Sequence, residues 1–84
     1  MTIIEEILFE RQKQDEKWGV QNHNPWYWLA ILMEEVGEVA HAICGKRNNF
    51  LNYREELIQV AAVAVAMVES FDRYRNTLKS DSTL

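Results

Sequence analysis

The sequence holds a single cysteine, a single proline and three glycines in 84 residues. Cys44 alone cannot form an internal disulfide, so a reducing cytoplasm is the expected compartment. Positive charge is also scarce. Nine Lys and Arg against thirteen Asp and Glu leave −4, whereas a general nucleic-acid binder needs a basic face. The longest apolar run, Val60 to Val68, spans nine residues and is too short to cross a bilayer. The opening Thr2-Ile3-Ile4-Glu5-Glu6 carries acids where a secretory signal carries basic residues. Neither a nucleic-acid nor a membrane partner is therefore expected. Alternating strand patterns, internal repeats and low-complexity segments are missing too.

What remains reads as helix, in three pieces. Thr2-x-x-Glu5 fits a capping box, and the first helix is expected over Ile3 to Lys17, ended by Gly19. Ile4, Ile7, Leu8, Arg11, Asp15 and Trp18 form its inward stripe, with Glu5, Glu6, Glu10, Lys13, Glu16 and Lys17 mostly outside. Arg11 and Asp15, four apart on that stripe, are expected to pair or to reach a polar interior. Asn24 caps the second helix, Pro25 takes its first position, and the helix stops near Gly45. The third helix begins after Asn48 or Asn52, the latter heading a second capping-box spacing with Glu55, and runs to about Arg75. Residues 1–75 then make one all-α domain, with 76–84 a frayed tail.

The third helix is the most informative. From Ile58 to Val68 only Gln59 is polar, and a helix apolar all round must be covered all round. Two neighbouring helices in so short a chain cannot do this. The expected assembly is therefore a three-helix protomer completing a helical bundle by homo-oligomerisation, a dimer or tetramer through the third helix.

Acids interrupt the apolar helices. Glu35 and Glu38 lie three apart on one face of the second helix, within Glu34-Glu35-Val36-Gly37-Glu38; Glu56 and Gln59 lie three apart on the third. The two pairs are equidistant from residue 47, so an antiparallel hairpin folded there sets them level, each roughly 15 Å from the turn at about 1.5 Å per residue. Like charges brought together and partly buried must be neutralised by protonation or by a cation. Oxygen ligands without a cysteine or histidine pair favour Mg²⁺ or Mn²⁺, and Mg²⁺ commonly completes its shell with substrate phosphates. The cluster thus points to phosphate-ester or phosphoanhydride chemistry. A solvated Glu-x-x-Glu face is the plainer account of either pair taken alone.

At these residues the chain resembles the MazG-like nucleotide pyrophosphohydrolases of the all-α NTP pyrophosphatase superfamily. Their signature is Glu-Glu-x-x-Glu, a spacer, then Glu-x-x-Asp. Glu34-Glu35-Val36-Gly37-Glu38 matches the first half, and Glu56-Leu57-Ile58-Gln59 the second except at its last position. Gln14-Asp15-Glu16-Lys17-Trp18-Gly19 and the Asn22-His23 turn are also similar to a small MazG-like subgroup. The resemblance covers about Glu10 to Arg75. It implies hydrolysis of a nucleoside triphosphate to the monophosphate and pyrophosphate, with Glu35, Glu38 and Glu56 as Mg²⁺ ligands and Glu34 orienting water. It also implies dimers or tetramers. Gln59, standing where the signature has Asp, coordinates through a neutral oxygen. This weakens metal binding and leaves a second reading, a nucleotide-binding or helical association module with lost catalysis.

Other residues have two readings each. Trp18, Trp26, Tyr27 and Trp28 crowd the first corner, as packing or as a platform for a base. Trp18, ending the stripe that holds Asp15, is the candidate for the ligand side. His23 with its asparagine neighbours fits a base edge or simply a polar turn. Lys46, Arg47 and Arg54 either reach a triphosphate or complement a helix end. Glu38-x-x-His41 has the spacing used by di-iron carboxylate bundles.

Overall fold

The computed structural model describes residues 1–44 and 50–82, with the side chains of 1–44 and 51–76. Three helices account for nearly all of them: α1 Ile3–Trp18, α2 Pro25–Cys44 and α3 Phe50–Ser82. There is no strand among the described residues. The start of α1 follows its sequence signal closely. The Thr2 hydroxyl accepts from the Glu5 backbone N–H at 3.1 Å, and the Glu5 carboxylate accepts from the Thr2 N–H at 3.0 Å. That reciprocal bonding, the Thr2 backbone N–H foremost, holds the Glu5 carboxyl below its ordinary value. Gly19 closes the helix with its N–H on the Asp15 carbonyl at 2.8 Å. Its φ of 75° is a left-handed conformation that costs glycine nothing. Asn24 caps α2 through its side-chain oxygen, which accepts the Tyr27 N–H at 2.8 Å.

Two expectations about α3 change. The helix is already under way at Phe50, so Asn52 lies inside it and is not its cap. Asparagine inside a helix costs at most about 0.7 kcal/mol, less than the backbone bonds gained by starting earlier. At the other end the helix continues past Arg75 to Ser82. Gly45, Lys46, Arg47 and Asn48 lie outside the described residues.

The 33-residue α3 is the spine of a body measuring 57 × 29 × 19 Å. Both other helices pack on it, and among the described residues α1 and α2 make no close backbone approach to each other. Buried Trp28, Val63 and Ala66 form the core between α2 and α3, with Ile31, Leu32 and Met67 packed against them. Trp28 and Ala66, like Ile31 and Val63, are equidistant from residue 47, the register expected of an antiparallel hairpin about that point.

α1 is held differently. Its one buried side chain is Arg11, 9% exposed, while Ile4, Leu8 and Phe9 remain more than half exposed. The guanidinium donates from Nε to Glu69 Oε1 at 2.8 Å, from Nη1 to Gln14 Oε1 at 3.1 Å and from Nη2 to Asp15 Oδ1 at 2.9 Å. Burial alone would favour the neutral form; the bonds to Glu69 and Asp15 outweigh it and raise the Arg11 pKa. A second link joins Arg54 to both carboxylate oxygens of Glu6, at 2.9 and 2.6 Å. Replacing the buried fork by a shape-matched apolar chain, Arg11→Met, is expected to lower stability by about 1–2 kcal/mol, since two half-exposed carboxylates lose their partner. Urea unfolding measures this; a loss below about 0.5 kcal/mol would show that the Arg11 bonds do not hold α1 in place.

Candidate functional site

The shared register of α2 and α3 brings acids of both helices into one field. Glu35 is partly buried and its Oε2 is sealed from solvent with no hydrogen-bond partner. Burial pushes its carboxyl above the ordinary value, and the charges of Glu56, Glu34, Glu38 and Glu10 push it further. Glu56 is raised in the same way, first by burial and then by Glu38, Glu55 and Glu10. The four carboxylates expected from the sequence are therefore electrostatic neighbours. Among the described residues, however, no three His, Cys, Asp or Glu side chains stand close enough as they are to hold a metal ion. Gln59, one turn beyond Glu56, is partly buried.

Glu10 is the member that sequence reasoning missed. Placed on the outer side of α1 by periodicity, it is instead half-buried and acts on both Glu35 and Glu56. One of its oxygens lies 3.3 Å from Lys13 Nζ. The signal was present in the three-residue step from Ile7 to Glu10 and the four-residue step on to Gln14, which shifts the inward stripe by a fraction of a turn.

Beside the acids is a pocket of about 370 Å³, within the range of small-molecule sites. α1 contributes Arg11, Gln14, Asp15 and Trp18; α2 contributes Tyr27, Trp28, Ile31, Glu34 and Glu35; Val63 and Ala66 of α3 form the floor. Arg11 is its one basic lining residue among those described. Asp15, bonded to Arg11, is thereby fixed in the pocket wall. Trp18 stands at the mouth, 61% exposed, with Lys17 Nζ 4.7 Å from its ring centroid. Trp28 is 5% exposed and belongs to the core, its indole N–H buried without an acceptor.

The remaining candidates go elsewhere. His23 packs against Tyr27 and Trp28, with ring centroids 4.4 and 4.9 Å apart, and lines a second groove on the far side of Trp28. Arg54 is occupied by Glu6 and does not line the pocket. Lys46 lies outside the described residues. His41 and Cys44 are exposed on α2. The site thus gathers Asp15, Trp18, Glu34 and Glu35 in one pocket with Glu38 and Glu56 as charged neighbours, and it excludes His23 and Arg54. No helix among the described residues is long and apolar enough to cross a membrane. Comparison with family models, curated proteins and solved structures returned no match to this chain.

Proposed function

We propose that the chain is a Mg²⁺-dependent nucleoside triphosphate pyrophosphohydrolase of the MazG-like kind. It would cleave NTP to the monophosphate and pyrophosphate and so clear non-standard or excess nucleotides from the cytoplasm. The observation that carries this reading is Glu35: a partly buried carboxylate, one oxygen without any partner, surrounded by four other acids. Such a group is relieved by protonation or by a bound cation, and the present reading takes the cation. Oxygen donors alone suit a hard ion, Mg²⁺ or, as the alternative, Mn²⁺. Glu35, Glu38 and Glu56 would hold it, with the Gln59 amide oxygen as a neutral fourth ligand. Bound there, the ion would neutralise charge on the phosphate oxygens and lower the pKa of a nearby water.

The chain's own residues supply the rest. Glu34, which lines the pocket next to Glu35, would orient a water near the ion. Asp15, fixed by Arg11, offers an acceptor to a sugar hydroxyl or base amine, and Trp18 at the mouth offers a face for stacking. Assembly as a homodimer or homotetramer through α3 belongs to the same proposal, supported by Leu57, Val68 and Phe71, each more than 40% exposed. A cytoplasmic location is supported by the exposed free thiol of Cys44.

A pyrophosphate-release screen over ordinary and modified nucleotides, with Mg²⁺ and with Mn²⁺, tests the reading. Metal-dependent release from at least one nucleotide is expected. The neutral Gln59 favours a second reading, a binder without turnover; tight nucleotide binding with no release would establish it. Gln59→Asp restores a charge next to Glu56 and is expected to tighten Mg²⁺ binding by about tenfold, measured calorimetrically. Unchanged affinity would remove Gln59 from the ligand set.

A further inference from the structure

Arg11 does more in the pocket than anchor α1. A guanidinium can only donate, so the Gln14 atom facing Arg11 Nη1 at 3.1 Å is the amide oxygen, and the amide nitrogen with its two hydrogens is turned away. In the same way Nη2 takes Asp15 Oδ1 at 2.9 Å and leaves Oδ2 without a hydrogen bond among the described residues. Glu69 holds the remaining nitrogen, Nε, at 2.8 Å, so the fork is itself fixed, with 9% of the arginine exposed. One planar group thus orients two neighbouring side chains of α1, and both line the pocket together with Trp18. They offer one donor, the Gln14 amide nitrogen, beside a carboxylate. Each carboxylate oxygen has two lone pairs, so Oδ1 keeps acceptor capacity after bonding Arg11.

We infer that this pocket selects guanine among the nucleobases by its Watson–Crick edge. The choice of base rests on the reading of the pocket as a nucleotide site, and narrows it. Gln14 Nε2 donates to O6, while the two Asp15 oxygens accept N1–H and the 2-amino group. Among the common bases guanine alone sets two N–H donors side by side next to an acceptor. Adenine and cytosine offer one amino group, uracil and thymine one N–H; the second carboxylate oxygen then meets a lone pair or a carbon. Bonds to a carboxylate are the stronger kind, and an edge that cannot fill both oxygens forfeits one. Trp18 at the mouth adds a stacking face that every base can use, so it contributes affinity and not choice. Arg11 is the positioning residue: it touches no base, and acts by fixing which atoms of Gln14 and Asp15 are left to read one.

The test is calorimetric titration of the full chain with GMP, IMP, AMP, CMP and UMP in the presence of Mg²⁺. These monophosphates cannot be turned over, so binding is read apart from catalysis. IMP differs from GMP only by lacking the 2-amino group, and is expected to bind roughly 10- to 100-fold more weakly, as are the other three. Asp15→Asn keeps an oxygen for Arg11 but loses the second acceptor, and is expected to bring GMP and IMP to within about twofold of each other. Gln14→Leu is expected to weaken both by about tenfold and keep their ratio, because both carry O6. Circular dichroism establishes that each variant is helical. Equal affinity of wild type for GMP and IMP, or no binding of GMP, overturns the inference without recourse to a variant; so does a helical Asp15→Asn that keeps the full ratio. Pyrophosphate release from several triphosphates without preference for guanine overturns it and leaves the catalytic reading standing. Guanine-selective binding with no release from GTP does the reverse.

Discussion

Glu38→Ala and Glu56→Ala are each expected to lower metal-dependent pyrophosphate release by at least about 100-fold while leaving the helical content unchanged. The effect is large because each carboxylate would bind the ion directly, and the small loss in stability follows from their exposure. Glu38 is exposed and Glu56 only partly buried, so neither truncation opens a cavity in the core of Trp28, Val63 and Ala66. Turnover with Mg²⁺ measured against circular dichroism on the same samples is the check. Wild-type rates in both variants would remove these two acids from the site and the metal proposal with them.

Glu35→Gln is expected to do two opposite things: abolish turnover and raise the stability of the metal-free protein by about 1 kcal/mol. The amide keeps the shape of the side chain, removes the charge that four neighbouring acids repel, and can donate as well as accept. The pH dependence has a definite sign. The folded-state carboxyls of Glu35 and Glu56 titrate above their ordinary 4.5, by burial first and neighbouring charge second. The folded state thus binds their protons more tightly than the unfolded chain does. Their contribution is fully present below pH 4.5 and is lost as pH rises through the raised folded values. The advantage of Glu35→Gln over wild type should accordingly be near zero at pH 4 and grow above pH 4.5. Added Mg²⁺ should stabilise wild type at pH 7.5, little at pH 4, and Glu35→Gln less than wild type. Thermal melts at two pH values with and without Mg²⁺ measure all of this; a pH-independent difference between wild type and Glu35→Gln would place the Glu35 charge in water rather than among its neighbours.

Local signals account for what could be read ahead of the structure. Thr2, Gly19, Asn24 and Pro25 mark helix ends because each acts on backbone groups within four residues of itself. The level placement of Glu35 and Glu38 with Glu56 followed from one assumption, an antiparallel hairpin about residue 47, and from the fixed rise of a helix. The position of α1 could not be obtained in this way. It is set by Arg11 on Glu69 and Arg54 on Glu6, 58 and 48 residues apart in sequence, and no short-range period encodes such pairs. Hence periodicity puts Glu10 outside by a fraction of a turn, and His23 and Trp18, both candidates for the ligand, lie on opposite sides of the Trp28 indole. The apolar character of Ile58 to Val68 was plain, but which of its residues meet Trp28, as Val63 and Ala66 do, and which stay exposed, as Ala64 and Val68 do, needed coordinates.

One wall of the acid pocket belongs to a helix whose sole buried side chain is an arginine, whereas the facing wall belongs to the hairpin that contains the hydrophobic core. Lifting that helix breaks charged contacts that water can replace and leaves Trp28, Val63 and Ala66 interlocked. Raised ionic strength is therefore expected to loosen α1 before it loosens the hairpin.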